Sequence, residues 1–146
     1  MTRWYLFSLL CLQLITSTCL AGLGGPNDGS NFHHFKSVTP IRAGSYTVQI
    51  IQVDGITVKE YESASGVIFA ASWSGAKIPD LKIIFGEYYQ EYLSAKAQHP
   101  PIRGQACSTF SSENVVVLEC GRGRHITGIA YIPSLVPAGV NVHSLY

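Results

Sequence analysis

The sequence predicts an α+β domain in which an antiparallel sheet of about six strands packs on one helix, in the order βββ-α-βββ. Two patterns predict it. Apolar and polar residues alternate in short segments between residues 46 and 61 and between residues 105 and 132, as they do in half-buried strands. Between these regions, from residue 79 to residue 92, apolar residues recur every three or four positions, as on one face of a helix.

The strands before the helix begin with a hairpin. Asp54-Gly55 is a preferred two-residue turn, and it sets Ile50 opposite Lys59. Residues 67–73 then form a more continuous apolar run between two glycines. Such a run is typical of a central strand that is buried on both faces.

Two aromatic residues of this central run are expected in the core. Trp73 and Phe69 are four positions apart, so strand alternation puts them on the same face of the sheet. Because the apolar side of the helix needs a surface to cover, we expect the helix to pack against this strand.

The helix is predicted to begin near Pro79, because proline suits a first helical turn. Asp80 follows it, and an acidic residue is favourable at a helix start. Gly86 is expected to kink or split the helix, because glycine is a poor helix former. Pro100-Pro101 prevents the helix from continuing.

The apolar side of this helix carries three tyrosines. Tyr88 and Tyr92 lie four positions apart on one face, and Tyr89 lies about 100° round the helix from Tyr88. One interpretation is that they belong to the core, with their hydroxyls at its rim. The other is that, together with Trp73, they form an aromatic face for a partner or an apolar ligand.

Cys107 and Cys120 lie on either side of a predicted hairpin turn at residues 111–114. If Glu113-Asn114 is a two-residue loop, the two cysteines face each other at a non-hydrogen-bonded position, where a disulfide can close. A four-residue turn would shift this register and stays an alternative. Because cysteines of an exported chain normally pair, we predict a structural disulfide.

Residues 1–21 have the parts of a secretory signal peptide. Arg3 gives a positive start, a mostly apolar stretch follows, and small residues precede Gly22. The apolar stretch is shorter than the roughly twenty residues that cross a membrane. We therefore expect cleavage between Ala21 and Gly22, and a periplasmic or secreted protein without a transmembrane anchor. Lipid attachment at Cys19 is the alternative, although the residues before it lack the usual pattern.

Residues 22–44 are rich in glycine and proline and have little apolar periodicity, so a flexible lead-in is predicted. Residues 45–146 are then expected to form a single α+β domain. The chain is 13% charged and 47% hydrophobic, which is the composition of a folded domain rather than of a disordered one.

The charge balance predicts which partners the protein lacks. The chain has 10 Lys and Arg against 9 Asp and Glu, and loss of Arg3 with the signal peptide leaves 9 of each. No positive excess remains to bind a nucleic acid or an acidic lipid surface. We expect the partner to be an envelope protein or a small apolar ligand instead.

An ordered series of short motifs between residues 45 and 140 resembles a family of small exported proteobacterial proteins catalogued only as a domain of unknown function. The resemblance implies a shared fold and an exported location, and it brings no known activity. The motifs are Val58-x-Glu60-Tyr61, Gly66-Val67-x-Phe69, Trp73-x-Gly75, Pro79-Asp80-Leu81, Gly86-x-Tyr88-Tyr89 with Tyr92, Gly128-x-Ala130-Tyr131-x-Pro133 and Pro137-x-Gly139-Val140.

No motif of the sequence indicates catalysis or a cofactor. His33-His34 lacks further ligands at a usable spacing, so no metal site is predicted. Gly121-Arg122-Gly123-Arg124 is interpreted as a turn between strands rather than as an RNA-binding segment. Three hypotheses follow, in this order: a non-catalytic binding or interaction module of the cell envelope, a carrier or sensor of a small apolar ligand, and a hydrolase-type enzyme.

Overall fold

The computed structural model describes residues 22–26, 36–100 and 102–145. These residues form seven strands and a helical segment in two parts. The elements are β1 (Lys36–Ala43), β2 (Tyr46–Val53), β3 (Ile56–Ser63), β4 (Ile68–Gly75), α1 (Leu81–Phe85), a 3-10 turn (Gly86–Tyr88), α2 (Tyr89–Gln98), β5 (Cys107–Ser111), β6 (Val116–Arg122), β7 (His125–Tyr131) and two further 3-10 turns (Pro133–Leu135 and Val142–Ser144).

The strands form one antiparallel sheet in the order β1-β2-β3-β4-β7-β6-β5. A single antiparallel sheet with one helical segment was predicted and is confirmed. The prediction of about six strands in the order βββ-α-βββ is wrong, because four strands precede the helix. The register of the first predicted hairpin is confirmed, since Ile50 faces Lys59.

The additional strand, β1, lies inside the segment that the sequence predicts to be a flexible lead-in. It pairs with β2 across the turn at Gly44, with Ala43 opposite Tyr46. Its register shifts between Val38 and Ile41, around Pro40. Proline cannot donate to a strand ladder and is tolerated at a sheet edge. The strand therefore lacks the regular alternation by which strands are recognised in a sequence.

Residues 22–26 also belong to the fold. The N–H of Leu23 donates to Ile84 O (2.9 Å), and the N–H of Gly24 donates to Ile68 O (2.8 Å). The side chain of Leu23 is 1% exposed. This short segment therefore bridges β4 and α1 and contributes to the core directly after the predicted cleavage point.

The helix divides where the sequence predicts. Asp80 is the N-cap of α1, and its carboxylate accepts a hydrogen bond from the Lys82 N–H (3.0 Å). Gly86 has a positive φ of 53° and ends α1, and after the 3-10 turn α2 begins at Tyr89. Pro79 lies just before the cap rather than in the first turn.

The helical segment covers one face of the sheet, here called the helix face. Its core is aromatic, because Trp73 packs against Phe85 with ring centroids 6.3 Å apart, and Phe85 stacks on Tyr92 at 4.4 Å. The Trp73 ring lies directly on the backbone of Gly128, where a Cβ would overlap it. Only glycine fits opposite this tryptophan.

The other face, here called the C-terminal face, is covered by the irregular segment after β7. Tyr61, Phe69, Ile129 and Leu145 form its core. The Tyr61 hydroxyl donates to the carbonyl oxygen of Leu145, which ties this segment to β3.

Trp73 and Phe69 are both buried, at 2% and 0% exposed, as predicted. The expectation that they share a face is wrong. The register of β3 and β4 shifts at Tyr61, which faces Ala70, so that Phe69 is an extra residue in the strand. Such a bulge interrupts the alternation of side chains. Phe69 therefore packs in the core of the C-terminal face, whereas Trp73 packs in that of the helix face.

The predicted hairpin of β5 and β6 is confirmed. The N–H of Ser112 donates to Val115 O (2.9 Å), which closes a short loop at Glu113-Asn114. Cys107 and Cys120 face each other with their Cα atoms 4.0 Å apart, and they form a disulfide.

The predicted signal peptide and His33-His34 lie outside the described residues. Within the described ranges, no helix has both the length and the apolar character needed to cross a membrane. The segment at residues 121–124 is the end of β6 and a turn into β7, as its sequence predicts.

Candidate functional site

A cleft of about 350 Å³ opens between the C-terminal end of α2 and the hairpin of β5 and β6. It lies on the helix face, at the end of the sheet where β5 begins and β6 ends. Its lining residues are Ile78, Lys96, His99, Gln105, Ala106, Ser108, Phe110, Glu119, Cys120, Gly121 and Ile126.

One wall of the cleft is a polar network of three side chains. Lys96 Nζ donates to Tyr92 Oη (2.7 Å) and to Glu119 Oε2 (2.9 Å). The Tyr92 hydroxyl in turn donates to Glu119 Oε1 (2.8 Å). The three groups therefore form a closed triangle, in which the ammonium and the carboxylate neutralise each other.

The periodicity of helices and strands explains why these three side chains come together. Tyr92 and Lys96 lie four residues apart on α2 and so share a face. On β6, Glu119 points to the helix face while its neighbour Cys120 points to the other side, because strand side chains alternate. Register then places Glu119 opposite Gly128, which has no side chain to obstruct α2.

Burial and hydrogen bonding shift two pKa values in the network. Burial raises the pKa of Tyr92 to about 12, so its hydroxyl stays protonated. Burial lowers the pKa of Lys96, but its hydrogen bonds to Tyr92 and Glu119 outweigh this effect and leave the pKa raised. At neutral pH the network is thus an ion pair bridged by a neutral phenol.

The floor and rim of the cleft are apolar. Phe110 is 3% exposed, and its ring lies under Lys96, with Nζ 5.6 Å from the ring centroid. Ile126 and Ile78 complete this lining, and Ile78 is 51% exposed. The cleft therefore offers uncovered apolar surface next to a satisfied charge pair.

His99 ends α2 at the edge of the cleft. Its Nδ1 lies 2.9 Å from Ala95 O. A carbonyl oxygen can only accept, so Nδ1 carries the proton of this hydrogen bond, which fixes the ring. Among the described residues, no three His, Cys, Asp or Glu side chains come together as ligands of a metal ion would.

The opposite end of the hairpin is fastened to the start of α2. Glu91 accepts hydrogen bonds from the backbone N–H (2.9 Å) and the side-chain amide (3.3 Å) of Asn114. A hydrogen bond from Ser112, and then those from Asn114, lower the pKa of this carboxyl. The hairpin is thus held against α2 at its loop as well as through the Lys96–Glu119 pair.

The four predicted aromatic site residues do not line this cleft. Trp73 and Tyr92 are 2% and 3% exposed and belong to the helix-face core. Tyr88 and Tyr89 are half-buried and pack against the same core. Tyr92 alone takes part in the site, through its hydroxyl beneath the Lys96 ammonium.

Most of the cleft residues were not singled out from the sequence. Lys96, Glu119 and Phe110 come from three separate elements, and only the folded sheet brings them together. The spacing of Tyr92 and Lys96 on the helix was a signal that could have drawn attention to this face. Nothing in the sequence indicates that Glu119 is their partner.

Comparison with known proteins gives a family and no activity. No curated protein and no solved structure matches the chain. A family model does match residues 19–145, which contain every element described above, and its description is "Protein of unknown function (DUF2844)". The resemblance to a domain of unknown function is thereby confirmed, and the chain belongs to this DUF2844 family.

Proposed function

We propose that this protein is a non-catalytic binding module of the cell envelope, and that its ligand is a small amphipathic molecule held in the cleft between α2 and the β5–β6 hairpin. The observation that carries the proposal is the cleft itself, an apolar hollow beside the Lys96–Glu119 pair. This choice joins the two leading hypotheses drawn from the sequence, a binding module and a carrier of a small apolar ligand.

The size of the cleft favours a small molecule over a protein partner. Its volume of about 350 Å³ lies at the lower end of the range for small-molecule pockets, about 300–1,000 Å³. Phe110 and Ile126 would contact the apolar body of a ligand, and Ile78 would lose much of its 51% exposure. Removing this surface from water is the main favourable term for binding.

The polar wall favours a ligand with an acceptor group. A lysine ammonium has three N–H donors, and the contacts of Lys96 with Tyr92 and Glu119 occupy two of them. The third is available to a carboxylate, sulfonate or carbonyl oxygen of the ligand. Because Glu119 already balances the charge of Lys96, the apolar contacts rather than a free charge would dominate the affinity.

The proposed location outside the cytoplasm has two supports. Residues 1–21 have the pattern of a signal peptide. The Cys107–Cys120 disulfide is of the kind that persists in oxidising compartments such as the periplasm. Intact-mass measurement of the exported protein tests this part, and Gly22 is expected as the first residue.

The ligand site is tested with the probe 8-anilinonaphthalene-1-sulfonate, which joins an aromatic body to one anionic group. Gly121 lines the cleft, and a Cβ built on it meets no atom within 4 Å, so Gly121→Leu is chosen to place a bulky side chain at the cleft. Thr109→Leu is the matched control, because Thr109 is an exposed residue of the same hairpin outside the cleft lining. Thermal melts establish that both variants fold.

We expect saturable binding of one probe per chain, at least about tenfold weaker in Gly121→Leu and unchanged in Thr109→Leu. Equal binding by all three proteins, or no saturable binding, would overturn the assignment of the cleft. Hydrolysis of p-nitrophenyl acetate by the parent protein that Gly121→Leu abolishes would replace it with the hydrolase-type hypothesis.

A further inference from the structure

Several basic side chains of the protein are concentrated at one end of the sheet. Four basic side chains collect at the end of the sheet where β4 and β6 finish and β7 begins, here called the basic end. Lys77 follows β4, Arg122 ends β6, Arg124 lies in the turn to β7, and Arg103 lies in the turn before β5. All four are exposed, and none forms an ion pair with another described residue.

Three acidic residues lie at the other end of the molecule. Glu62 lies near the end of β3, Glu113 in the β5–β6 loop, and Glu91 binds that loop at Asn114. Arg42, near the end of β1, is a basic residue at this acidic end. At the basic end, Asp54 lies in the β2–β3 turn, and Asp80, the exposed N-cap of α1, follows Ile78 by two residues. The near-zero net charge of the chain therefore conceals a local excess of basic side chains at the basic end.

Two large aliphatic side chains lie among the basic residues and point into solvent. Ile102 is 69% exposed and immediately precedes Arg103 in its turn. Ile78 is 51% exposed and immediately follows Lys77. Exposed aliphatic side chains flanked by basic ones are typical of proteins that rest on a membrane surface, since the chains enter the acyl boundary while the cations meet the headgroups.

We propose that the basic end is a docking surface for an anionic lipid bilayer. The charge complementarity of Lys77, Arg103, Arg122 and Arg124 with acidic headgroups selects the bilayer, and Ile78 and Ile102 insert beneath them. The proposal does not depend on the ligand of the cleft. It places Ile78, which also lines the cleft, at the bilayer, so that the cleft opens beside the membrane.

The aliphatic character of the exposed residues favours lipid over nucleic acid. A single-stranded nucleic acid is held by planar side chains on which its bases stack. The side chains beside the cations here are isoleucines, which suit an acyl boundary. Binding of a single-stranded oligonucleotide is therefore measured alongside binding of the vesicles.

The chain supplies an internally matched control. The dipeptide Ile-Arg occurs at both ends of the sheet, as Ile102-Arg103 at the basic end and as Ile41-Arg42 at the acidic end. Ile41 is 53% exposed, and Arg42 is exposed as well. Ile102→Ser with Arg103→Glu therefore makes the same chemical change as Ile41→Ser with Arg42→Glu, at opposite ends of one molecule.

The test is flotation with lipid vesicles. It uses the exported form of the protein, which is expected to begin at Gly22. One set of vesicles mixes phosphatidylglycerol with phosphatidylcholine, and the other is phosphatidylcholine alone. We expect the parent protein to float with the anionic vesicles and not with the neutral ones, and to be released at high salt. The Ile102/Arg103 variant should partition at least about tenfold more weakly, and the Ile41/Arg42 variant as the parent does.

Three results would overturn the proposal. The first is that the parent protein does not bind anionic vesicles at physiological salt. The second is that both double variants weaken vesicle binding equally. The third is that the protein binds a single-stranded oligonucleotide and that anionic vesicles do not displace it. Probe binding in the cleft is measured without vesicles. The cleft can therefore fail to bind the probe while the basic end still binds vesicles, and the two failures are distinguishable. Melting curves of both double variants verify that they fold.

Discussion

The two faces of the sheet are covered in different ways. On the helix face, Phe85 of α1 and Tyr92 of α2 extend a row of aromatic rings that begins at Trp73 of β4. On the C-terminal face, a segment with only short 3-10 turns crosses the strands and is fastened through Leu145 to Tyr61. The helix satisfies its own backbone groups, whereas the irregular segment depends on side chains of the sheet to hold it.

This difference assigns separate tasks to the two faces. The helix face contains the cleft, and its rigid aromatic row fixes the position of Tyr92 and, through it, of Lys96. The C-terminal face contains a shallower hollow of about 210 Å³ beside Tyr61 and Leu145. We therefore expect stability to depend most on the helix face and least on the tie to Leu145.

The largest expected effect comes from the centre of the helix face. Trp73→Ala empties a site that is 2% exposed, and the free energy of unfolding should fall by about 3–5 kcal/mol, the usual range for a buried aromatic residue. Urea unfolding followed by far-ultraviolet circular dichroism measures this. Trp73→Phe is the control and should lose less, because it still packs against Phe85. An alanine variant as stable as the parent would contradict the aromatic core.

The next largest effect is a dependence on pH. Glu60 of β3 is 5% exposed, and burial, with a smaller effect of the nearby Glu62 charge, raises its pKa from 4.5 to about 7. Between pH 4.5 and about pH 7, the folded state therefore holds a proton on Glu60 that the unfolded state has released. Stability should therefore be greatest below pH 4.5 as far as Glu60 contributes, and should fall by about 3 kcal/mol as the pH rises through 7.

Two variants isolate this contribution. Glu60→Gln cannot ionise, so its stability should change little between about pH 5 and pH 8, whereas the parent should be less stable at pH 8. Glu62→Gln leaves Glu60 buried and removes the smaller cause of its raised pKa, so the fall in stability should still begin near pH 4.5 but end at a lower pH and be smaller than in the parent. A parent protein that is more stable at pH 8 than at pH 5, with Glu60→Gln behaving identically, would contradict a buried protonated Glu60.

The two faces also differ in how far the sequence revealed them. Features with local signals were predicted correctly: the start of the helix at Asp80, its division at Gly86 and the register that joins Cys107 to Cys120. Each depends on a few neighbouring residues and on general geometry. The packing of the helix against the strand that carries Trp73 was also expected from the sequence.

The features that the sequence did not reveal are set by distant contacts. The bulge at Phe69 moves that side chain to the other face, and no local pattern announces it. Strand β1 is irregular because it is an edge strand containing Pro40. Glu119 becomes part of the site only because β6 and α2 lie side by side.

The smallest expected effect tests the fastening of the C-terminal face. The Tyr61 hydroxyl donates to Leu145 O and lies 3.3 Å from Ser72 Oγ. Tyr61→Phe keeps the ring and removes this hydrogen bond, but Ser72 Oγ, at 3.4 Å from the same carbonyl, remains as a donor. Because one buried acceptor keeps a partner, the loss should be about 1 kcal/mol, the net value of a single hydrogen bond.

Tyr46→Phe is the matched control for this last variant, because Tyr46 packs edge-on against Tyr61 and Phe69 on the same face. Its hydroxyl makes no hydrogen bond to Leu145, so its removal should change stability by less than that of Tyr61. Hydrogen exchange sharpens the measurement, since in Tyr61→Phe the amides of Leu145 and Ser144 should exchange faster while those of β4 do not. If Tyr61→Phe instead cost as much as Trp73→Ala, the C-terminal segment would be as essential to the fold as the helix, and the division of tasks between the two faces would be wrong.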